Sequence, residues 1–109
     1  MKWFKVADTL PTGQPFIRKV KAGSHTVCLV GYDNELCAVS ARCPHAGGDL
    51  SHGWCKDGKI ICPLHRYQYD LKTGKGDPGQ NDYIDSYPVE TREDGVYVGI
   101  TSFLGRIFG

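Results

Sequence analysis

Cys43-Pro44-His45-Ala46-Gly47-Gly48 and Cys62-Pro63-Leu64-His65 are the stretches on which the reading of this chain turns. The first contains C-x-H; after sixteen intervening residues the second begins and reads C-x-x-H, and a proline directly follows each cysteine. Each arm thus offers one thiolate and one imidazole. A set of two sulfur and two nitrogen ligands can hold a tetrahedral Zn²⁺ or an iron–sulfur centre, so the spacing must discriminate. Common zinc modules take a like pair from each arm, C-x₂₋₄-C then H-x₃₋₅-H, because both ligands of an arm reach a single ion. Here each arm is mixed. Mixed arms suit a two-metal target in which the cysteines converge on one iron and the histidines on the other.

Outward from these arms, fourteen glycines and six prolines in 109 residues punctuate the chain too often for long helices. Residues 2–6, 16–21, 26–31 and 35–40 predict short strands, the last two joined around Asp33-Asn34 in a hairpin. Near the other end Val96, Val98 and Ile100 alternate with Tyr97 and Gly99 after the turn signal Glu93-Asp94-Gly95, and residues 87–92 supply the preceding strand. Between them, an insertion at about 42–85 carries half of the Gly and Pro and most of the His and Cys, with strand-like pieces at 60–61 and 67–71. The pattern is all-β. In residues 102–109, Phe103, Leu104, Ile107 and Phe108 suit either one helical turn or a packed tail and receive no functional weight.

The length predicts one small domain over residues 1–109 and excludes a two-domain enzyme. Thirteen Lys+Arg against twelve Asp+Glu leave a formal charge of +1, which argues against nucleic acid as a partner. The mean hydropathy is −0.34, and no apolar run approaches the ~20 residues of a membrane span, so no membrane association is expected. Residues 1–6 lack the apolar stretch and small-residue cleavage site of a secretory signal, which predicts the reducing cytoplasm. Five cysteines would leave one unpaired in a disulfide framework, whereas ligation needs no even total.

The two arms resemble the cluster-binding loops of Rieske [2Fe-2S] proteins. The resemblance runs from Trp3 to Asp94-Gly95-Val96-Tyr97-Val98, and the chain is most similar to the small soluble Rieske ferredoxins that feed oxygenases. It implies a Rieske-type fold of stacked antiparallel sheets with a cluster-binding subdomain of two loops at one tip. It also implies that Cys43 and Cys62 ligate the inner iron while His45 and His65 ligate the outer, more exposed one. The implied role is a monomeric one-electron carrier, not itself an enzyme, passing electrons from a flavoprotein ferredoxin reductase to a terminal oxygenase or other acceptor. A terminal oxygenase would need a further domain holding a mononuclear iron, and the 44 residues after His65 contain no histidine. The competing readings are a zinc-stabilised interaction module and a small electron-entry subunit of a nitrite-reductase-like complex.

Charge explains the mixed ligands. Two ferric ions and two sulfides sum to +2; four thiolates would leave −2, whereas two thiolates and two neutral imidazoles leave zero, which lifts the potential from about −400 mV into the span of about −150 to +300 mV. Gly47 and Gly48 would let backbone amides approach the cluster. Gly48 and Leu64 stand where cytochrome bc-type Rieske proteins carry the cysteines of a bracing disulfide, so the brace is absent. Those proteins then place a serine and a tyrosine whose hydroxyls donate to sulfur; here Tyr67 replaces the serine and Tyr69 keeps the tyrosine. Tyr69 has two readings: a donor to a ligand sulfur, making the protein less reducing, or a packed aromatic with its hydroxyl in water. Cys28, Cys37 and Cys55 read as structural, His25 and His52 as surface residues, and Trp54 and Tyr67 as core. Asp70, Asp77, Asp82 and Asp85 read as a solvated loop.

Overall fold

The computed structural model describes residues 1–9, 14–44 and 47–101, so the segment 102–109 lies outside the described residues. Its strands are β1 (Lys2–Ala7), β2 (Phe16–Ala22), β3 (His25–Tyr32), β4 (Glu35–Ser40), β5 (Trp54–Lys56), β6 (Lys59–Ile61), β7 (Gln68–Asp70), β8 (Ser86–Tyr87), β9 (Val89–Arg92) and β10 (Gly95–Ile100). A single 3₁₀ turn, Leu50–His52, precedes β5 among the described residues. Three antiparallel sheets result, ordered β1-β10-β9, β2-β3-β4-β8 and β5-β6-β7. The all-β expectation holds. No described helix is long and apolar enough to cross a membrane.

Local chemistry sets the hairpins. Asp33 and Asn34 both adopt left-handed φ, 57° and 64°, with Tyr32 opposite Glu35. This is the tight-turn geometry whose twist matches flanking strands, and Asp and Asn tolerate it best after glycine. Asp57-Gly58 repeats the device between β5 and β6. Residues 87–92 form two strands instead of the one expected: β8 pairs with β4, whereas β9 pairs with β10. Pro88 lies at the break because it has no N–H for a ladder, and its carbonyl accepts from the Gly99 amide at 3.0 Å as the chain changes sheet.

β3 is buried on both faces from Val27 to Val30. Val27 and Leu29 pack with Ala38, Val96, Val98 and Ile100; Cys28 and Val30 pack with Val39, Leu50, Ile60 and Tyr69. The four-stranded sheet is therefore the middle layer, and β5-β6-β7 lies across its second face. The same second core contains Cys43 and Cys62, which seats both arms on packed hydrophobic residues.

A polar tether joins the first arm to the frame. Lys19 on β2 reaches Asp49 at 2.6 Å, while Asp49 caps the 3₁₀ turn by accepting from the Ser51 amide at 2.9 Å and hydroxyl at 2.6 Å. The Lys19 contact first, then Ser51, holds the Asp49 carboxyl well below its ordinary range. A carboxyl depressed on folding contributes stability that is present above its unfolded value and lost as pH falls through the folded one. Asn keeps a capping oxygen, so Asp49→Asn should cost at most about 1 kcal/mol at neutral pH, through loss of the carboxylate charge that pairs with Lys19 and strengthens the Ser51 bonds. Urea midpoints of the two proteins should stay apart at neutral pH and converge progressively below about pH 4. An equal gap at acid and neutral pH contradicts this account.

Candidate metal centre

Both arms close with one backbone pattern. The Cys43 amide donates to the Gly48 carbonyl at 2.8 Å, and the Gly47 amide donates back to the Cys43 carbonyl at 2.8 Å. In the second arm the Cys62 amide donates to the Tyr67 carbonyl at 2.8 Å and the Arg66 amide to the Cys62 carbonyl at 3.0 Å. The fourth residue after each cysteine is left-handed: Gly47 at φ 70° and Arg66 at φ 58°. Glycine takes this conformation without strain, whereas Arg66 is held there by the two flanking bonds. Thus C-x-H and C-x-x-H, unlike in spacing, hang on equivalent turns with the cysteine at the base.

These turns bring the sulfurs together. Cys43 and Cys62 are each 1% exposed. Burial pushes the Cys62 thiol up, as does its hydrogen bond with Cys43, while the amides of Leu64 and His65, directed at its sulfur, act in the opposite sense. Amides aimed at a sulfur favour its anionic form, the form a metal needs. Gly48 is buried against the second arm: a Cβ there would lie 3.1 Å from Cys62 Sγ and 2.9 Å from Leu64 Cδ1. A side chain there would have to displace the exposed end of Leu64, so the two arms meet with nothing between Gly48 and the Cys62 sulfur. His65 and Leu64 are exposed beyond the sulfurs, Leu64 at 56%. His45 lies outside the described residues. Two buried thiols, converging arms, inward amides and an exposed imidazole fit a centre with a deep sulfur side and a shallow nitrogen side.

Tyr69 comes from β7 and is fully buried, with its hydroxyl 3.3 Å from Cys43 Sγ and 3.0 Å from Asp82 Oδ2. The hydroxyl is not in water. Burial first, then Cys43 and Asp82, hold this phenol far above its ordinary value, so it keeps its proton. Asp82 was expected in a solvated loop, but the segment 76–82 folds back under β7 to meet Tyr69. Gln80 anchors it, accepting from the Gln68 amide at 2.9 Å and donating to the Gln68 carbonyl and Asp82 Oδ1, each at 3.2 Å. The Gly76 amide donates to the Asp82 carbonyl at 3.1 Å. Neither Asp82 nor Gln80 carries a periodicity or spacing signal that could have marked it.

The other acidic residues are also engaged. Asp77 pairs with Lys59 at 2.6 Å, and Asp70 accepts from the amides of Lys72 at 2.8 Å and Thr73 at 2.9 Å. Trp54 departs from the expected core position: it is 44% exposed, because β5 is an edge strand whose alternation turns Cys55 inward and Trp54 outward. Tyr67 is partly buried against the second core. None of the five cysteines forms a disulfide. Burial pushes Cys28 up to about 12 and Cys55 up to about 11, and raises Cys37, which suits packed neutral thiols. His25 and His52 are exposed; His25 meets the Tyr87 ring edge-on at 6.5 Å.

The family model for the Rieske [2Fe-2S] domain matches residues 2–88. The chain belongs to this family. Beyond the matched residues, β10 completes the Rieske chain's first sheet by pairing with β1. A curated relative, the 3-phenylpropionate/cinnamic acid dioxygenase ferredoxin subunit of Photorhabdus laumondii, is 32% identical over 96 residues, covering 86% of this chain and 89% of that protein. Among solved structures, the ferredoxin of carbazole 1,9a-dioxygenase from Nocardioides aromaticivorans is 25% identical with a TM-score of 0.75, covering 93% of this chain and all (100%) of that one. A complex of reduced oxygenase and oxidised ferredoxin in carbazole 1,9a-dioxygenase matches with 26% identity and a TM-score of 0.74, over 89% of this chain and 92% of the matched one. The cofactor of this Rieske chain is a [2Fe-2S] cluster, and its paired buried sulfurs are chemically suited to it.

Proposed function

We propose that this chain is a one-electron carrier, not an enzyme in itself, that takes electrons from a flavoprotein reductase and delivers them to a terminal oxygenase. The observation that carries the reading is the pair of equivalent turns that bury two cysteine sulfurs side by side beneath an exposed histidine. Cys43, His45, Cys62 and His65 are the proposed ligands. The cluster, when bound, supplies a reversible one-electron couple. Around it, Cys43 and Cys62 anchor the deep side, Gly47 and Gly48 admit close backbone approach, and Pro44, Leu64, His65 and Arg66 face solvent. An exposed tip with one prominent apolar side chain suits a small, transient contact, below about 1,200 Å² in such encounters. The carbazole dioxygenase complex named above supports an oxygenase as the acceptor. We further read the protein as a cytoplasmic monomer, consistent with five cysteines outside any disulfide.

Anaerobic reconstitution tests the proposal. The expected product is brown, contains iron and acid-labile sulfide in equal amounts, and shows a rhombic EPR signal on reduction. A colourless protein that takes up zinc and no iron would overturn it. The carrier role itself is checked by mixing reduced protein with an oxygenase of the matched kind and following its reoxidation.

A further inference from the structure

We infer that Asp82 accepts the Tyr69 hydroxyl's hydrogen bond and so keeps Tyr69 from stabilising the reduced centre, making Asp82 a positioning residue for the potential. The inference rests on the proposed ligand role of Cys43. A phenol has one proton to donate, and two acceptors stand at the Tyr69 oxygen: Cys43 Sγ at 3.3 Å and Asp82 Oδ2 at 3.0 Å. While the Cys43 thiol holds its proton there is no conflict, because S–H can donate to the phenol oxygen and O–H to Asp82. A ligating Cys43 has lost that proton. The two acceptors then compete for a single hydrogen.

The carboxylate wins. A hydrogen bond from a hydroxyl to a charged carboxylate oxygen is about twice as strong as a neutral one, whereas a ligating sulfur has given much of its density to metal. Asp82 is also fixed in place, its second oxygen held by Gln80 at 3.2 Å and its carbonyl by Gly76 at 3.1 Å. The proton therefore points away from Cys43, and the phenol oxygen turns lone pairs towards the sulfur. Added electron density on the sulfur then meets lone pairs and a nearby carboxylate instead of a donor. The place of Tyr69 on β7 does not by itself make it a donor; the segment 76–82, outside both ligand arms, decides which way its hydroxyl faces.

A double-mutant cycle on the reconstituted holoprotein, read as midpoint potential by voltammetry, tests this. In Asp82→Asn the amide can donate to the phenol oxygen and leave O–H for Cys43 Sγ. The reduction equilibrium should shift at least tenfold towards the reduced form, about 59 mV for one electron. Tyr69→Phe should move the wild-type potential little but remove most of the rise in the Asp82→Asn background. Loss of charge alone would raise the potential equally with Tyr or Phe at position 69, so the non-additive part reports the hydrogen bond. Additive effects, or an unchanged potential in Asp82→Asn, overturn the inference. If Asp82→Asn takes up little iron, Asp82→Ser carries the same comparison. Iron content and the EPR signal of the wild type test the carrier reading separately: a wild type without iron defeats that reading, whereas loaded variants with additive shifts defeat only this one.

Discussion

Cys62→Ser is expected to leave the chain folded while abolishing its capacity to retain iron. Cys62 is 1% exposed and receives the amides of Leu64 and His65, which a serine oxygen can also accept, so volume and local bonding change little. The donor chemistry changes completely. Iron–sulfur centres are selected by soft thiolates, and a serine hydroxyl neither ionises as readily nor offers comparable covalency. The loss should exceed the roughly 10–100-fold in affinity that changes around a ligand produce. Iron, sulfide and visible absorbance should fall together, while the far-ultraviolet circular dichroism of the unreconstituted protein stays unchanged. Cys28→Ser is the control: Cys28 packs in the core as a thiol pushed up to about 12, and its variant should retain iron. A brown Cys62→Ser with wild-type iron content would remove Cys62 from the centre.

The second large effect is on stability. Leu50 is fully buried in the core that also contains Cys43, Cys62, Ile60 and Tyr69, and its 3₁₀ turn begins directly after the first arm. Leu50→Ala removes buried methyl groups beneath both arms and leaves a cavity, for an expected cost of about 2–5 kcal/mol. Against total stabilities of about 5–15 kcal/mol, this is a large fraction. Urea unfolding should show a lowered midpoint with an unchanged slope, in the metal-free and the reconstituted protein alike. A loss below about 1 kcal/mol would mean that the arms collapse onto the gap or that the site is less tightly packed than its burial indicates.

Much of the framework could be read from short-range signals. Asp33-Asn34 announces its hairpin because both residues tolerate left-handed backbone, and β4 spans the residues 35–40 that the pattern predicted. The two arms are equally visible, since residue type and spacing carry ligand chemistry directly. The misses have a common cause. Trp54 reads as core because aromatics usually are, yet β5 occupies a sheet edge, and edge position is a property of pairing. Residues 87–92 look like one strand, yet Pro88 divides them between two sheets, and composition does not tell which partners wait on either side.

Residue order alone determines an all-β chain, its principal turns and two arms that each pair a cysteine with a histidine, because each depends on neighbours a few positions apart. Tertiary structure alone decided that both arms rest on the same turn geometry, that Gly48 lies against Cys62 and Leu64, and that the Tyr69 hydroxyl stands between Cys43 and Asp82. Those contacts span 26 and 13 residues of sequence. Hydrogen-bond direction depends on which acceptors converge in space, and no local pattern along the chain encodes that convergence.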